Sequence, residues 1–148
     1  MSYFIFQKNS ENLPGTLVKI AENQSDLNNL TINLSNCTVV EDSQQNFDLV
    51  KLGTKFVISY SGNTITYGDV VITPFSKDSL KNYIAIYNNE IKQFLNNWPN
   101  SPLFTRWNNY YNQMSNLDLN SITYPLNETL EQYFQSNGQP AYVSLQIP

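Results

Sequence analysis

The chain has no histidine, one cysteine and few charges: Lys and Arg number 8, Asp and Glu 12, and charged types make up 14% of 148 residues. Each shortage excludes something. Without histidine there is no Ser–His or Cys–His nucleophile pair and no histidine-containing metal site. The lone Cys37 cannot form an internal disulfide, which fits a reducing compartment. No basic residue stands beside it in sequence to activate it, so it reads as a structural thiol. The cations Lys8, Lys19, Lys51, Lys55, Lys77, Lys81, Lys92 and Arg106 are scattered and the net charge is −4, so nucleic acid is not an expected partner. No glycine-rich phosphate loop occurs. No apolar run approaches the roughly 20 residues of a membrane span, and a membrane is not an expected partner either. The opening MSYFIFQKNSEN lacks the basic leader and long apolar run of a secretory signal.

Carboxylates offer little more. Only Glu41 and Asp42 are adjacent, and neighbours on a strand point to opposite faces. Asp42 is better read as a helix cap. Asn116, Asp118 and Asn120 alternate as in part of a calcium loop, but its glycine and closing Glu are missing. These residues support no catalytic group, metal or cofactor, and the chain reads as a non-enzyme.

What is present is a helical scaffold. In the segment from Ser76 to Leu117, Leu80, Ile84, Tyr87, Ile91, Phe94 and Trp98 are spaced four, three, four, three, four, which keeps one side of a helix apolar. Ser76 suits the N-cap, and Pro99 stops the helix at Trp98. Ser101-Pro102 restarts a helix with Pro102 in its first position. There Leu103, Trp107, Tyr110, Tyr111, Met114 and Leu117 share a face. Two apolar stripes joined so closely predict an antiparallel helical hairpin. About a dozen buried side chains, each contributing roughly 1.5–3 kcal/mol, oppose its ordering cost.

Before the hairpin the pattern is mostly that of strands. Tyr3 to Phe6 reads as a buried strand, Leu13-Pro14-Gly15 as a turn with Gly15 free to take positive φ, and Thr16 to Ala21 as the returning strand. A helix start at Asn23 to Asp26 leads to a short turn ending at Leu30. Thr38 to Val40 is a third strand, and Asp42 or Ser43 caps a helix running to Leu52 and stopped by Gly53. Lys55 to Tyr60 follows, with Phe56, Ile58 and Tyr60 expected on one face. Ser61-Gly62-Asn63 turns it into Thr64 to Tyr67. After the hairpin, Leu130, Tyr133 and Phe134 mark a third helix, ended by Asn137-Gly138. The tail AYVSLQIP either docks on the protein's own sheet or is held by another chain. Strands first and helices afterwards predict an α+β protein: a small, mainly antiparallel sheet with one helix, then a helical hairpin and a third short helix. The expected division is a β-rich subdomain over 1–75 and a helical one over 76–148.

Polarity comes largely from amides, with asparagine at roughly one residue in seven against a usual background of Leu, Ala, Gly and charged types. An AT-rich coding bias explains this, and so does a surface built for contacts to proteins or sugars. Aromatic residues make up 14% of the chain. At helical spacing they usually form core; Tyr111, at the margin of its stripe, and Tyr124 and Tyr142, which do not fit a stripe cleanly, are the better candidates for exposed contacts.

The run Arg106 to Asp118, followed by Ile122-Thr123-Tyr124-Pro125, resembles the C-terminal pattern of phage tail-fibre assembly proteins. Trp107, Tyr110, Met114, Leu117, Asp118, Tyr124 and Pro125 occupy the matching positions. Tyr111 stands where that family usually has Arg, and the linker to Tyr124-Pro125 is shorter. The resemblance covers about residues 103–125. It implies a non-enzymatic virion, tail-associated or assembly protein, located in the virion or in host cytoplasm during assembly. Other virion or tail proteins are the implied partners, with a homo-oligomer as an alternative. The residues themselves offer Trp107, Tyr110, Tyr111, Tyr124 and Tyr142 as the partner contacts. A carbohydrate-binding module with exposed aromatic residues is the alternative.

Overall fold

A computed structural model describes residues 1–8, 15–62 and 64–148. The chain is α+β: a three-stranded antiparallel sheet, a two-stranded hairpin, then packed helices and a short C-terminal helix. It divides into two compact units, Met1–Val70 together with Pro148, and Val71–Ile147.

In the first unit, β1 (Tyr3–Gln7) lies between β2 (Leu17–Ala21) and β3 (Cys37–Glu41), antiparallel to both. Its central position pairs both of its edges, and its unbroken apolar run follows from the covering of both of its faces. On one face Phe4 meets Phe47 and Phe6 meets Tyr60, with ring centroids 6.0 and 4.3 Å apart. On the other, Ile5 packs with Ala21 and Leu27. The β1–β2 register shifts between Ile5 and Phe6, which pair with Lys19 and Leu17 and leave Val18 as the extra residue. Gly15 is required for a different reason than a positive φ. A Cβ there would lie 1.4 Å from the backbone oxygen of Gln7. Leu13 and Pro14 of the expected turn, and Asn63 of the later one, lie outside the described residues.

Asn23 caps the short α1 (Gln24–Asn28) by accepting from the N–H of Asp26 at 2.8 Å. The next helix, α2 (Phe47–Lys51), is shorter than its sequence suggests, yet Asp42 does serve it. The two carboxylate oxygens accept from the N–H groups of Asn46 and Phe47 at 3.2 and 2.8 Å. The cap acts from several residues upstream because Gln45, at φ 57°, turns the chain back. Gly53, at φ 79°, ends the segment.

The hairpin strands β4 (Lys55–Ser61) and β5 (Thr64–Asp69) correct one expectation. Phe56, Ile58 and Tyr60 do not share a buried face. Val57 pairs with Tyr67 and Ser59 with Thr66, so Ile58 is a bulge residue. An extra residue resets the alternation of faces. Tyr60 turns inward onto Phe6, whereas Phe56 and Ile58 are 49% and 57% exposed.

The second unit begins with α3 (Lys77–Asn97), whose N-cap Ser76 forms a reciprocal capping box with Ser79. It packs on α4 (Phe104–Ser115). Asn88, midway back along α3, donates to Ser115 Oγ at 2.9 Å near the far end of α4, as an antiparallel pair requires. Pro102 is not the first helical residue. It occupies a turn in which Ser101 Oγ accepts from the N–H of Leu103, and the helix begins at Phe104. The stripe residues Leu80, Tyr87, Ile91, Phe94, Leu103, Trp107, Tyr110 and Met114 are all buried in one cluster. Trp98 is the exception: it is 48% exposed, because as C-cap at φ −133° it leaves the helical path.

The last helix, α5 (Leu130–Ser136), is held by a capping box between Thr129 and Gln132 and adds Leu130 and Phe134 to the core. Gly138, at φ 70°, follows its C-cap Asn137. The tail docks on helices rather than on a sheet: Ala141 and Ile147 join the helical core. Pro148 belongs to the first unit, its carbonyl oxygen accepting from the backbone N–H and hydroxyl of Thr31.

Candidate functional site

The sequence-expected contact residues fall into two groups. Trp107, Tyr110 and Tyr142 come together. The Trp107 ring lies 5.3 Å from that of Tyr142 and 5.9 Å from that of Tyr110, and Tyr110 and Tyr142 are 5.2 Å apart. This cluster is interior. Trp107 and Tyr110 are 0% and 2% exposed, which removes both from the set of surface contacts. Their positions in the stripe point them at α3, and packing accounts for them fully. Tyr142 is half-buried above them, with the Arg106 guanidinium 5.4 Å from its ring. Tyr111 is half-buried against the same core. Tyr124 is half-buried too, and donates from its hydroxyl to the backbone oxygen of Leu119 at 2.8 Å. Tyr111 and Tyr124 make no cluster with the other three.

A polar network crosses this interior. Tyr83 donates to Glu131 Oε1 at 2.8 Å, and its ring stacks on that of Tyr87 at an interplanar angle of 10°. Tyr87 and Tyr110 both donate to the backbone oxygen of Tyr142 at 3.0 Å. Burial, followed by the charge of Glu131, holds the Tyr83 hydroxyl above the usual phenol range. Burial likewise raises Tyr87 and Tyr110. The Glu131 carboxyl is raised above the usual carboxylate range by burial, opposed by hydrogen bonds to the charged form. A raised carboxyl is what a general acid needs. Glu131, however, is only 4% exposed and its carboxylate is engaged by Tyr83, so the arrangement is suited to anchoring α5 on α3. Sequence reading missed Glu131. Its only local signal was its place in the first turn of a capped helix.

In the first unit, a recess of about 450 Å³ is lined by Glu41, Asp42 and Asp48 among others. Asp42 is committed to the α2 backbone there. Among the described residues no group of three or more His, Cys, Asp or Glu could hold a metal ion. The half-buried Cys37 thiol donates to the Asn33 backbone oxygen at 3.7 Å. Among the described residues no helix is long and apolar enough to cross a membrane.

The hairpin carries two of the exposed large apolar side chains of this unit, Phe56 and Ile58, which stand with Met1, Val39, Leu49 and Val70 among the described residues. The Phe56 ring covers Gly68 on the facing strand, so closely that a Cβ on Gly68 would sit 2.4 Å from the ring. Ile58 stands out beside it on the same strand. Among the described residues β4 and β5 pair with no other strand. On the β5 side the Ile65 N–H donates to Gln44 Oε1 at 2.9 Å, which leaves the β4 edge, beside Phe56 and Ile58, as the one with no strand or side-chain partner among the described residues. No family model matches the chain, and neither does any curated protein or solved structure.

Proposed function

We propose that the chain is a non-enzymatic phage virion or tail-associated assembly protein that acts through protein–protein contacts. The observation that carries the mode of action is the β4–β5 hairpin, with Phe56 and Ile58 about half exposed on a two-stranded element. A strand edge beside apolar side chains is a template for pairing with another chain. Covering Phe56 and Ile58 would add apolar burial to the main-chain hydrogen bonds of such a pairing. In this reading the apolar anchors are Phe56 and Ile58 on the hairpin rather than Trp107 and Tyr110. Support for the phage setting comes from the sequence resemblance over about residues 103–125. The structure assigns the Trp107, Tyr110 and Met114 part of that pattern to core packing.

The test is sedimentation of particle lysate from the source system, following the chain by mass spectrometry. Recovery in heavy fractions at a constant ratio to a coat or tail protein is the expected result. The variant Ile58→Ser, confirmed as folded by circular dichroism, should be recovered less. A wild-type chain found only in light fractions overturns the particle role. Undiminished recovery of the variant overturns the hairpin as the contact.

A further inference from the structure

A second cleft, of about 430 Å³, lies wholly within the helical unit. Its polar lining is Gln113 and Asn116 from the end of α4, Asp118 from the following turn, Tyr133 and Asn137 from α5 and its cap, and Gln139 beyond. Three of these present acceptors that are already fixed in place. Gln113 donates from Nε2 to the Pro140 backbone oxygen at 2.8 Å, and Asn137 from Nδ2 to that of Tyr133 at 2.7 Å. Each bond orients an amide so that its own carbonyl oxygen remains an open acceptor. Asp118 is held by the N–H of Asn120, 3.0 Å from Oδ1. Among the described residues, no hydrogen bond engages the side-chain amides of Asn116 and Gln139 or the hydroxyl of Tyr133. These groups supply donors on the same lining.

The lining carries no Lys or Arg, and Asp118 contributes a negative charge. A phosphate or carboxylate ligand would therefore meet no cation. A ligand that matches must donate to fixed acceptors and also accept from amide N–H groups, while carrying no negative charge. Neighbouring hydroxyls do both, since each is one donor and an acceptor. Leu117 and the Tyr133 ring add an apolar portion to the lining, suited to the C–H face of a pyranose. The volume falls within the ~300–1,000 Å³ usual for small-molecule sites. We propose that this cleft binds a neutral carbohydrate, with Asn116 and Gln139 as donors and Gln113, Asp118 and Asn137 as acceptors. The site does not depend on the hairpin contact or on the phage setting.

The test is a nitrogen–proton NMR titration of the full chain with glucose, galactose, mannose, N-acetylglucosamine and cellobiose, and separately with spermidine. Each sugar is taken to about 50 mM, enough to populate even a millimolar site. At least one sugar should saturably shift the side-chain NH2 signals of Asn116 and Gln139 together with the backbone amides of Gln113, Asp118 and Asn137, the latter being the signals followed in the variant. The double variant Asn116→Ala/Gln139→Ala should weaken that binding at least tenfold while leaving the rest of the spectrum in place. Both side chains are exposed or free of structural bonds, so the variant tests binding rather than folding. No saturable shift with any of the five sugars overturns the proposal. So does equal binding by the double variant, or a response to spermidine alone.

Discussion

The hydroxyl of Tyr83 on α3 donates to the buried carboxylate of Glu131 on α5, 48 positions away in the chain. The pair joins two elements that share no local contact in sequence, and it makes stability depend on pH. The Glu131 carboxyl takes up a proton more readily in the folded chain than in the unfolded one. Its contribution to stability is therefore full below the ordinary carboxylate range and is lost as pH rises through the raised folded value. Glu131→Gln keeps an acceptor for Tyr83 and removes the charge. Denaturant melts across pH 3–8, a range of roughly the carboxylate window, should show the wild type losing stability relative to this variant as pH rises. A constant difference between the two would refute the assignment. Tyr83→Phe leaves the carboxylate without its donor and should cost about 1.5–3 kcal/mol at neutral pH.

The two phenols that meet at the Tyr142 carbonyl predict an alkaline transition. Burial raises Tyr87 and Tyr110 above the phenol range, so the protonated forms favour the fold. That stability is full below the unfolded phenol value of about 10 and is lost as pH climbs beyond it toward the raised folded values. Absorbance titration should show these tyrosines ionising together with loss of helical circular dichroism. Ionisation of every tyrosine near the free value, with the fold intact, would contradict the structure. Tyr110→Phe should cost about 0.5–1.5 kcal/mol and should speed amide exchange in the tail around Tyr142.

The helical unit was legible in the sequence because its information is periodic. Leu80 to Phe94 and Leu103 to Met114 repeat at the spacing of a helix, and both stripes are buried as that spacing requires. The same rule explains the misplaced contact residues, since Trp107 and Tyr110 lie within the stripe. The first unit was less legible where a single residue breaks the period. The bulge at Ile58 puts Tyr60 on the opposite face from Phe56 and Ile58, and no composition signal marks it. The amide-lined cleft was hidden for another reason: Gln113, Asn116, Asn137 and Gln139 converge only after α4 and α5 are placed.

Asp42 links a cap to a titration. Its carboxylate satisfies the N–H groups of Asn46 and Phe47, and its charge stands near the Tyr67 hydroxyl. Burial first, and then that charge, push Tyr67 up to about 12. Asp42→Ala should destabilise the chain by about 0.5–2 kcal/mol, the scale of a lost N-cap. Asp42→Asn keeps part of the cap and removes the charge, so it should lower the Tyr67 value while burial still holds it above the free phenol. An unchanged Tyr67 titration in this variant would show that the two groups do not interact.

The two tryptophans, Trp98 and Trp107, allow the placement of the aromatic anchors to be read directly. Trp107 is sealed in the core among Tyr110 and Tyr142, and its Nε1 has no hydrogen-bond partner. Trp98 stands half in solvent after α3. In Trp98→Phe, emission comes from Trp107 alone and should be blue-shifted and little quenched by acrylamide. In Trp107→Phe, the remaining Trp98 should emit further to the red and quench readily. Trp107→Ala should cost about 3–5 kcal/mol, as expected for a large core residue whose cavity only partly collapses. Trp98→Ala should leave stability almost unchanged. Ready quenching of Trp107 in the folded chain would return it to the surface and restore it as a contact residue.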